Sequence, residues 1–436
     1  MEATAAFALY AAGSYAVLQR VNSEVSAPYM DEIFHVPQAQ RYCAGDFATW
    51  DPKLTTPPGL YLASLALRFG QPCTLRLLRL TNWLLSLLLF WTVHSLVTTL
   101  HRRLPPMHAG AATLVLMLFP VSFFFHHMYY TDTASLLCVL LAYTLSLRGQ
   151  HAAAAAAGLA ALWMRQTNVV WVALIGALAA VRVLQMRGFG GAADMQLVQL
   201  GRGVVACWRP IARVLAPYAA VVTLFGAFVV ANRGIVLGDR ANHQAGTHVP
   251  QLMYFYAYLG AMAAPTVAYE SRGLVHTVMR RPVRNLLAGG MVAAIMTIGV
   301  RWFTVEHPFL LSDNRHYPFY LWKNLFRRHW LARYLAIPAY ACSMRAVHAT
   351  LRAPPLWQLA WAACTAAVLV PSPLLEFRYF TVPFFFARLH MPLALSARTA
   401  AELVGYVLIN AATIWMFLNR PFTWDSEPGK LQRFMW

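Results

Sequence analysis

The sequence predicts an all-α, polytopic transmembrane helical bundle, and three observations carry that prediction. Of 436 residues, 59% are hydrophobic and only 12% are charged, about half the charged share of a soluble domain. The apolar runs recur at lengths of about 17–25 residues, which suit helices crossing a bilayer. No ten-residue alternation of the kind that marks barrel strands is present, so the spanning elements are expected to be helices.

In chain order, spans are expected near residues 4–21, 77–100, 109–128, 132–148, 152–164, 168–186, 211–231, 251–269, 285–303, 333–349, 356–373, 379–395 and 401–419. That is about thirteen, within a range of roughly 11–14. Ala5 to Val21 lacks a basic flank before it and is expected to be a retained helix, not a cleaved signal. Pro58 to Phe69 is apolar, but at about a dozen residues it suits an interfacial or re-entrant helix. With no internal repeat and no long linker, residues 1–436 are read as a single integral-membrane domain whose first large loop is 22–76.

Charge sets the orientation. Lys and Arg number 35 against 16 Asp and Glu, a formal net charge of +19. In a soluble protein this would point to nucleic acid. Between hydrophobic segments it is the positive-inside signal, so the bilayer is the expected partner and nucleic acid is not. A cytoplasmic N-terminus puts the basic loops at 101–108, 187–210 and 271–284 on the cytoplasmic side. The opposite face then receives residues 22–76, Tyr129–Asp132, Arg165–Asn168, 232–250, 304–330 and Glu376–Arg378. Every polar, motif-like stretch falls on that one face.

The six cysteines are scattered without metal-ligand spacing. Cys43 and Cys73 could pair on an oxidising face, but free thiols are the expectation. There is no Asn-x-Ser/Thr acceptor, and neither a metal nor a cofactor is called for.

Chemistry concentrates in Pro28-Tyr-Met-Asp-Glu-Ile-Phe-His35, continuing through Trp50-Asp51-Pro52 to Thr55-Thr-Pro-Pro-Gly-Leu-Tyr61. Asp31 and Glu32 are candidates for a general base. The competing role is structural, with Asp31 capping a short helix that contains Ile33 to Tyr42. Neighbouring residues do not share a helix face, so one of the two is expected to be chemical and the other structural. Arg and His clusters follow at Gly238-Asp-Arg-Ala-Asn-His243, His248 and Asp313-Asn-Arg-His-Tyr317, where a guanidinium could meet a phosphate head group. Against that, Asp313 and Arg315 could simply pair with each other. Arg165-Gln-Thr-Asn168 and Glu376-Phe-Arg378 stand at helix ends, where charge must be paired or face a wet cavity.

These motifs, with Gly234-Ile-Val-Leu-Gly-Asp-Arg240, Leu375-Glu-Phe-Arg-Tyr-Phe380 and Gln432-Arg-Phe-Met-Trp436, resemble the dolichyl-phosphate-glucose-dependent alpha-1,2-glucosyltransferases of the endoplasmic reticulum. The resemblance runs nearly end to end. It implies a GT-C fold with the catalytic acid in the first lumenal loop. It also implies transfer of the third, terminal glucose from a dolichyl-phosphate-glucose donor to a diglucosylated, dolichyl-pyrophosphate-linked oligosaccharide acceptor. On that reading Asp31 (alternatively Glu32) is the base of an inverting displacement. Arg315 and His316 hold the donor phosphate, with Arg240, His243 and Arg378 as further candidates. His35, Trp50, Tyr61, Asp313, Asn314 and Tyr317 are candidates for the substrate groove. Two departures stand out: Arg233 where the family usually has glycine, and Pro318 where threonine is common. A mannosyl transferase using the same type of lipid donor is the alternative within enzymes. A multi-pass transporter is the alternative outside them.

Overall fold

A computed structural model describes residues 2–189, 197–240 and 244–436. The chain is mostly helical and is a multi-pass membrane protein. Leu75–Leu100, Gln166–Met186, Trp208–Asn232, Pro282–Phe303 and Ala397–Asn419 are each long and apolar enough to cross a bilayer, and Pro106–Met117, Thr131–Leu147, His151–Met164 and Pro355–Leu369 are shorter apolar helices.

Several expected spans are interrupted, and proline marks each break. The segment at 109–128 forms Pro106–Met117 and Pro120–Phe125, 251–269 forms Pro250–Met262 and Ala264–Glu270, and 333–349 forms Ala332–Leu335 and Ile337–Thr350. Pro120, Pro265 and Pro338 each sit in the first turn of the second piece, where the missing N–H costs nothing. Pro58 to Phe69 contains only the nine-residue helix Gly59–Leu67.

Two compact units are formed, one from Met1–Met117, Phe125–Gln244 and Ala353–Cys364, the other from Leu118–Phe124, Ala245–Arg352 and Thr365–Trp436. In the first unit, Leu75–Leu100 packs against Ala3–Glu24, Pro106–Met117 and Thr131–Leu147. Leu89, Phe90, Val93, Leu96 and Val97 are fully buried at helical spacing, while Leu88 and Trp91 on the other face are exposed. A helix apolar on both faces has protein on one side and lipid on the other. Trp208–Asn232 carries this further, burying only Ile211, Tyr218 and Val221.

The second unit is built on aromatic packing. Phe119 stacks on Phe384 at 3.9 Å between ring centroids, with Tyr258, Phe385 and Tyr406 edge-on around the pair.

Two findings correct the sequence reading. The chain is not purely helical, since Phe422–Trp424 pairs antiparallel with Glu427–Gln432. And Cys43 and Cys73 are joined in a disulfide, tying the end of helix Glu32–Cys43 to a point two residues ahead of Leu75–Leu100. Cys43 is the last residue of its helix and Cys73 lies in the loop that follows Gly59–Leu67, a proximity that 30 residues of separation does not announce.

Candidate active site

The acidic pair is split by its surroundings. Glu32 opens helix Glu32–Cys43 and is completely buried. Its two oxygens accept from Arg79 Nε (2.9 Å) and Nη2 (2.6 Å), and from the backbone N–H groups of Tyr29 (3.0 Å) and Tyr129 (2.7 Å). Four charge-assisted or backbone bonds hold this carboxylate in one orientation inside the protein. Asp31 stands at the N-cap position but makes no side-chain cap bond, and it stays partly exposed. Its backbone N–H donates to the Tyr130 hydroxyl at 3.0 Å. Met30 just before it adopts φ +54, a left-handed conformation that a non-glycine residue takes only under local constraint.

Around Asp31 the other first-loop candidates come together. His35 Nδ1 and the Tyr61 hydroxyl share a 2.7 Å hydrogen bond, and Tyr61 packs on His35, Tyr42 and Trp50 at 5.6–6.0 Å. Burial pushes the Tyr61 phenol well above its usual range, and the charges of Tyr129, Tyr42, Asp51 and Asp31 add to the effect. Tyr61 is therefore a neutral hydrogen-bonding group.

The loop after Trp50 is pinned at several points. Gln38 donates to Thr49 O (2.8 Å) and accepts from Asp51 N–H (2.9 Å). Gln166, from the Arg-Gln-Thr-Asn motif, donates to Thr55 O at 2.7 Å, while its neighbour Arg165 pairs with Asp132 at 2.9 Å. Asp239 N–H donates to Pro52 O (2.8 Å) and Leu237 N–H to Thr55 O (3.3 Å). That approach needs Gly238, because a Cβ there would meet Pro52 O at 2.3 Å and Leu54 O at 2.6 Å. Arg240 follows, exposed, donating to Asn232 O (2.7 Å), Asn232 Oδ1 (2.9 Å) and Val236 O (3.2 Å). His243 lies outside the described residues.

The second unit gathers the other motifs. Arg315 forks onto Asp313 (Nε–Oδ1 2.8 Å, Nη2–Oδ2 2.7 Å), donates Nη1 to Gln432 Oε1 (3.1 Å) and lies over Trp424. Burial pushes the Asp313 carboxyl up, but the Arg315 bonds and the His316 and Arg315 charges outweigh it and leave it below the usual carboxylate range. Asn314 Oδ1 accepts from Trp424 Nε1 (2.8 Å) and His316 Nδ1 meets Trp436 O (2.9 Å). Tyr317 N–H donates to Met435 O and packs on Trp436. Asp313–Tyr317 and Gln432–Trp436 thus form one interlocked element. Arg378 pairs with Glu376. His248 is fully buried, with Nδ1 at 3.3 Å from Pro373 O, and burial pushes its pKa down to about 4. A neutral imidazole offers an anion no charge.

The DIE2/ALG10 family model matches residues 25–389, most of the chain and all of the motifs before Gln432. The chain belongs to the DIE2/ALG10 family. It is 35% identical to a protein of Rattus norvegicus over 94% of this chain and 93% of that one, and 34% identical to one of Arabidopsis thaliana over 95% and 96%. A Homo sapiens relative is 35% identical over 94% and 93%. All three carry the name Dol-P-Glc:Glc(2)Man(9)GlcNAc(2)-PP-Dol alpha-1,2-glucosyltransferase. No solved structure matches the chain.

Both departures from the family pattern have a physical account. Arg233 is the left-handed C-cap of Trp208–Asn232 (φ 54), a position that favours glycine because it has no Cβ. Pro318 lies in the first turn of Tyr317–Leu321, where proline fits. Arg79 and Asn82 escaped the motif reading. They are polar residues three apart on a mainly apolar helix, a placement that itself signals buried partners.

Proposed function

We propose that this chain transfers the terminal glucose, in alpha-1,2 linkage, from dolichyl-phosphate-glucose to diglucosylated oligosaccharide on dolichyl pyrophosphate, as the names of its DIE2/ALG10 relatives state for them. The carrying observation is identity of 34–35% over more than nine-tenths of both chains with relatives sharing one name. We place the protein in the endoplasmic reticulum membrane, in a GT-C type bundle of about thirteen spans with the site on the lumenal side. The disulfide between Cys43 and Cys73, natural to an oxidising compartment, supports that orientation of the first loop.

Asp31 is the base and Glu32 is structural. Glu32 has its oxygens occupied and no exposure, so it has no route to a substrate hydroxyl, whereas Asp31 is partly exposed beside Tyr61. Asp31 takes the proton from the acceptor 2-hydroxyl as that oxygen bonds to the glucose anomeric carbon from the face opposite the phosphate. The anomeric carbon–oxygen bond to phosphate breaks and the electron pair leaves with the phosphate, inverting the configuration. The leaving phosphate is already acidic and needs cationic stabilisation, not protonation. Arg240 is our first choice for that role. Among the described residues its acceptors are neutral and none is a carboxylate, and its loop is bonded to the Pro52–Thr55 loop. Arg315 with His316 is second, because Asp313 occupies its fork; Arg378 is third for the same reason with Glu376.

The test uses microsomes with synthetic donor and acceptor. Asp31→Asn is expected to lower kcat by about 10²–10⁴, and normal turnover would move the base elsewhere. Arg240→Ala is expected to raise the donor KM more than Arg315→Ala does; the reverse order would exchange their roles.

A further inference from the structure

We propose that Arg79 and Asn82, on the first turns of helix Leu75–Leu100, form the platform that positions the base, so that they govern turnover without touching substrate. The inference rests on the proposed role of Asp31 and assigns what holds it.

The two residues are three apart and fully buried, so they present one face of one helix. Arg79 grips the chain on one side of Asp31. Its fork holds Glu32, its Nη1 donates to Val25 O (2.7 Å) and Asn22 Oδ1 (3.3 Å), and Nη2 reaches Ala27 O at 3.5 Å. Asn82 grips the other side through two bonds from its amide nitrogen, to Met128 O (2.6 Å) and Tyr130 O (2.7 Å). The two grips meet twice. Glu32 accepts the Tyr129 N–H, and the Tyr130 hydroxyl accepts the Asp31 N–H. Irregular backbone at 25–31 and at 128–130 is therefore fixed to one rigid helix, with Asp31 in between. The left-handed Met30 is the local constraint that such clamping sustains. A displacement of about 1 Å at a proton-transferring group costs up to about 100-fold in rate, so a support of this kind should be visible in kcat.

The test separates geometry from charge and from misfolding. Arg79→Gln leaves Glu32 buried without its cation. The double variant Glu32→Gln/Arg79→Gln replaces the ion pair with a neutral amide pair that can still bridge the same elements. Arg79→Gln is expected to lower kcat by about 10- to 100-fold at a donor KM within about twofold of wild type, and the double variant to regain about tenfold of that loss. Asn82→Ala, which removes the second grip without stranding a charge, is expected to lower kcat with the same unchanged donor KM. Folding is followed by Cys43–Cys73 disulfide formation and by thermal unfolding in detergent. The proposal is overturned if folded Asn82→Ala keeps wild-type kcat, if donor KM rises while kcat holds, or if the double variant regains stability but no turnover. An active Asp31→Asn would instead take down the base assignment, and this inference with it. An inactive Asp31→Asn beside fully active Arg79 and Asn82 variants would leave the base standing and remove only its platform.

Discussion

Among the described residues, two Arg–Glu pairs are completely buried, one in each unit, and their forks are nearly superimposable in distance. Arg79 holds Glu32 at 2.9 and 2.6 Å, and Arg388 holds Glu402 at 2.8 and 2.6 Å. What differs is the remaining company of each carboxylate. Glu32 also accepts backbone N–H groups of Tyr29 and Tyr129, so it fixes irregular chain beside Asp31. Glu402 instead meets the hydroxyls of Thr266 (3.4 Å) and Tyr406 (3.3 Å), which stand on helices Ala264–Glu270 and Ala397–Asn419. The first pair shapes a loop and the second joins helices. Removing one partner of such a pair strands a charge in either case, but only the first should distort a site.

Glu32→Ala and Glu402→Ala break the comparison most directly. Each is expected to cost about 3–5 kcal/mol, because an arginine is left buried and uncompensated, and thermal unfolding in detergent should show both. In the fraction that stays folded, Glu402→Ala should keep kcat within about twofold, while Glu32→Ala loses at least about tenfold. Equal losses of kcat would mean that the two pairs do the same work.

The disulfide sharpens the same contrast. Cys43–Cys73 joins the helix that begins with Glu32 to the loop just ahead of the helix that carries Arg79. Cys43→Ser is expected to cost about 3.5 kcal/mol for a closed loop of this length and to lower kcat as well. Cys342→Ser, at an exposed free cysteine of the second unit, should change neither. If reductant leaves wild-type melting unchanged, the bond contributes nothing to holding the first loop.

How much of this was legible in the sequence depended on whether the cause was local. Apolar runs act over one or two turns, so the helical segments follow from the residues themselves, whereas the breaks at Pro120, Pro265 and Pro338 fall inside runs read as continuous spans, although proline is itself a local cause. The hairpin at 422–432 was not legible, because its strands are short and gain support from Arg315 bonding Gln432 and from the backbone bonds of residues 315–317 to Met435. Glu32 was half legible. Adjacency to Asp31 implied that one of the two is structural, but the choice fell to Arg79, 47 residues away, and to the Tyr129 N–H, 97 away. The arginines of the later motifs left two readings open, phosphate binding or pairing with the neighbouring carboxylate, and Arg315 and Arg378 each hold a carboxylate.

A glycine pair tests the loop side of the contrast at smaller scale. Gly238→Ala would drive a methyl against Pro52 O and Leu54 O, with an expected cost of about 1–3 kcal/mol and a fall in kcat as the first loop shifts. Gly405→Ala, with nothing within 4 Å on helix Ala397–Asn419, should stabilise by up to about 1 kcal/mol and leave kcat alone. Carbonyl oxygens cannot retreat as a flexible side chain can, so an unperturbed Gly238→Ala would mean that the loops at 238 and 52–55 are not in contact.

A last contrast concerns protons and the second unit alone. His248 has its folded pKa lowered by burial to about 4, below the usual 6.5, so the folded chain binds this proton less readily than the unfolded one. Its contribution to stability is therefore complete above pH 6.5, declines as pH falls from 6.5 towards 4, and is gone below that. The ceiling set by a fall from 6.5 to about 4 is roughly 3 kcal/mol, and loop relaxation will reduce it. Asp313 acts in a separate window. Its pKa lies below 3.8, so its stabilisation is lost only as pH falls below about 4. Thermal unfolding of wild type and His248→Asn, measured between pH 7 and 4.5, should show a slope of a few degrees in the former and a flatter line in the latter. Asparagine can still donate to Pro373 O, so equal slopes would assign the acid sensitivity to another group and free His248 from a purely neutral role.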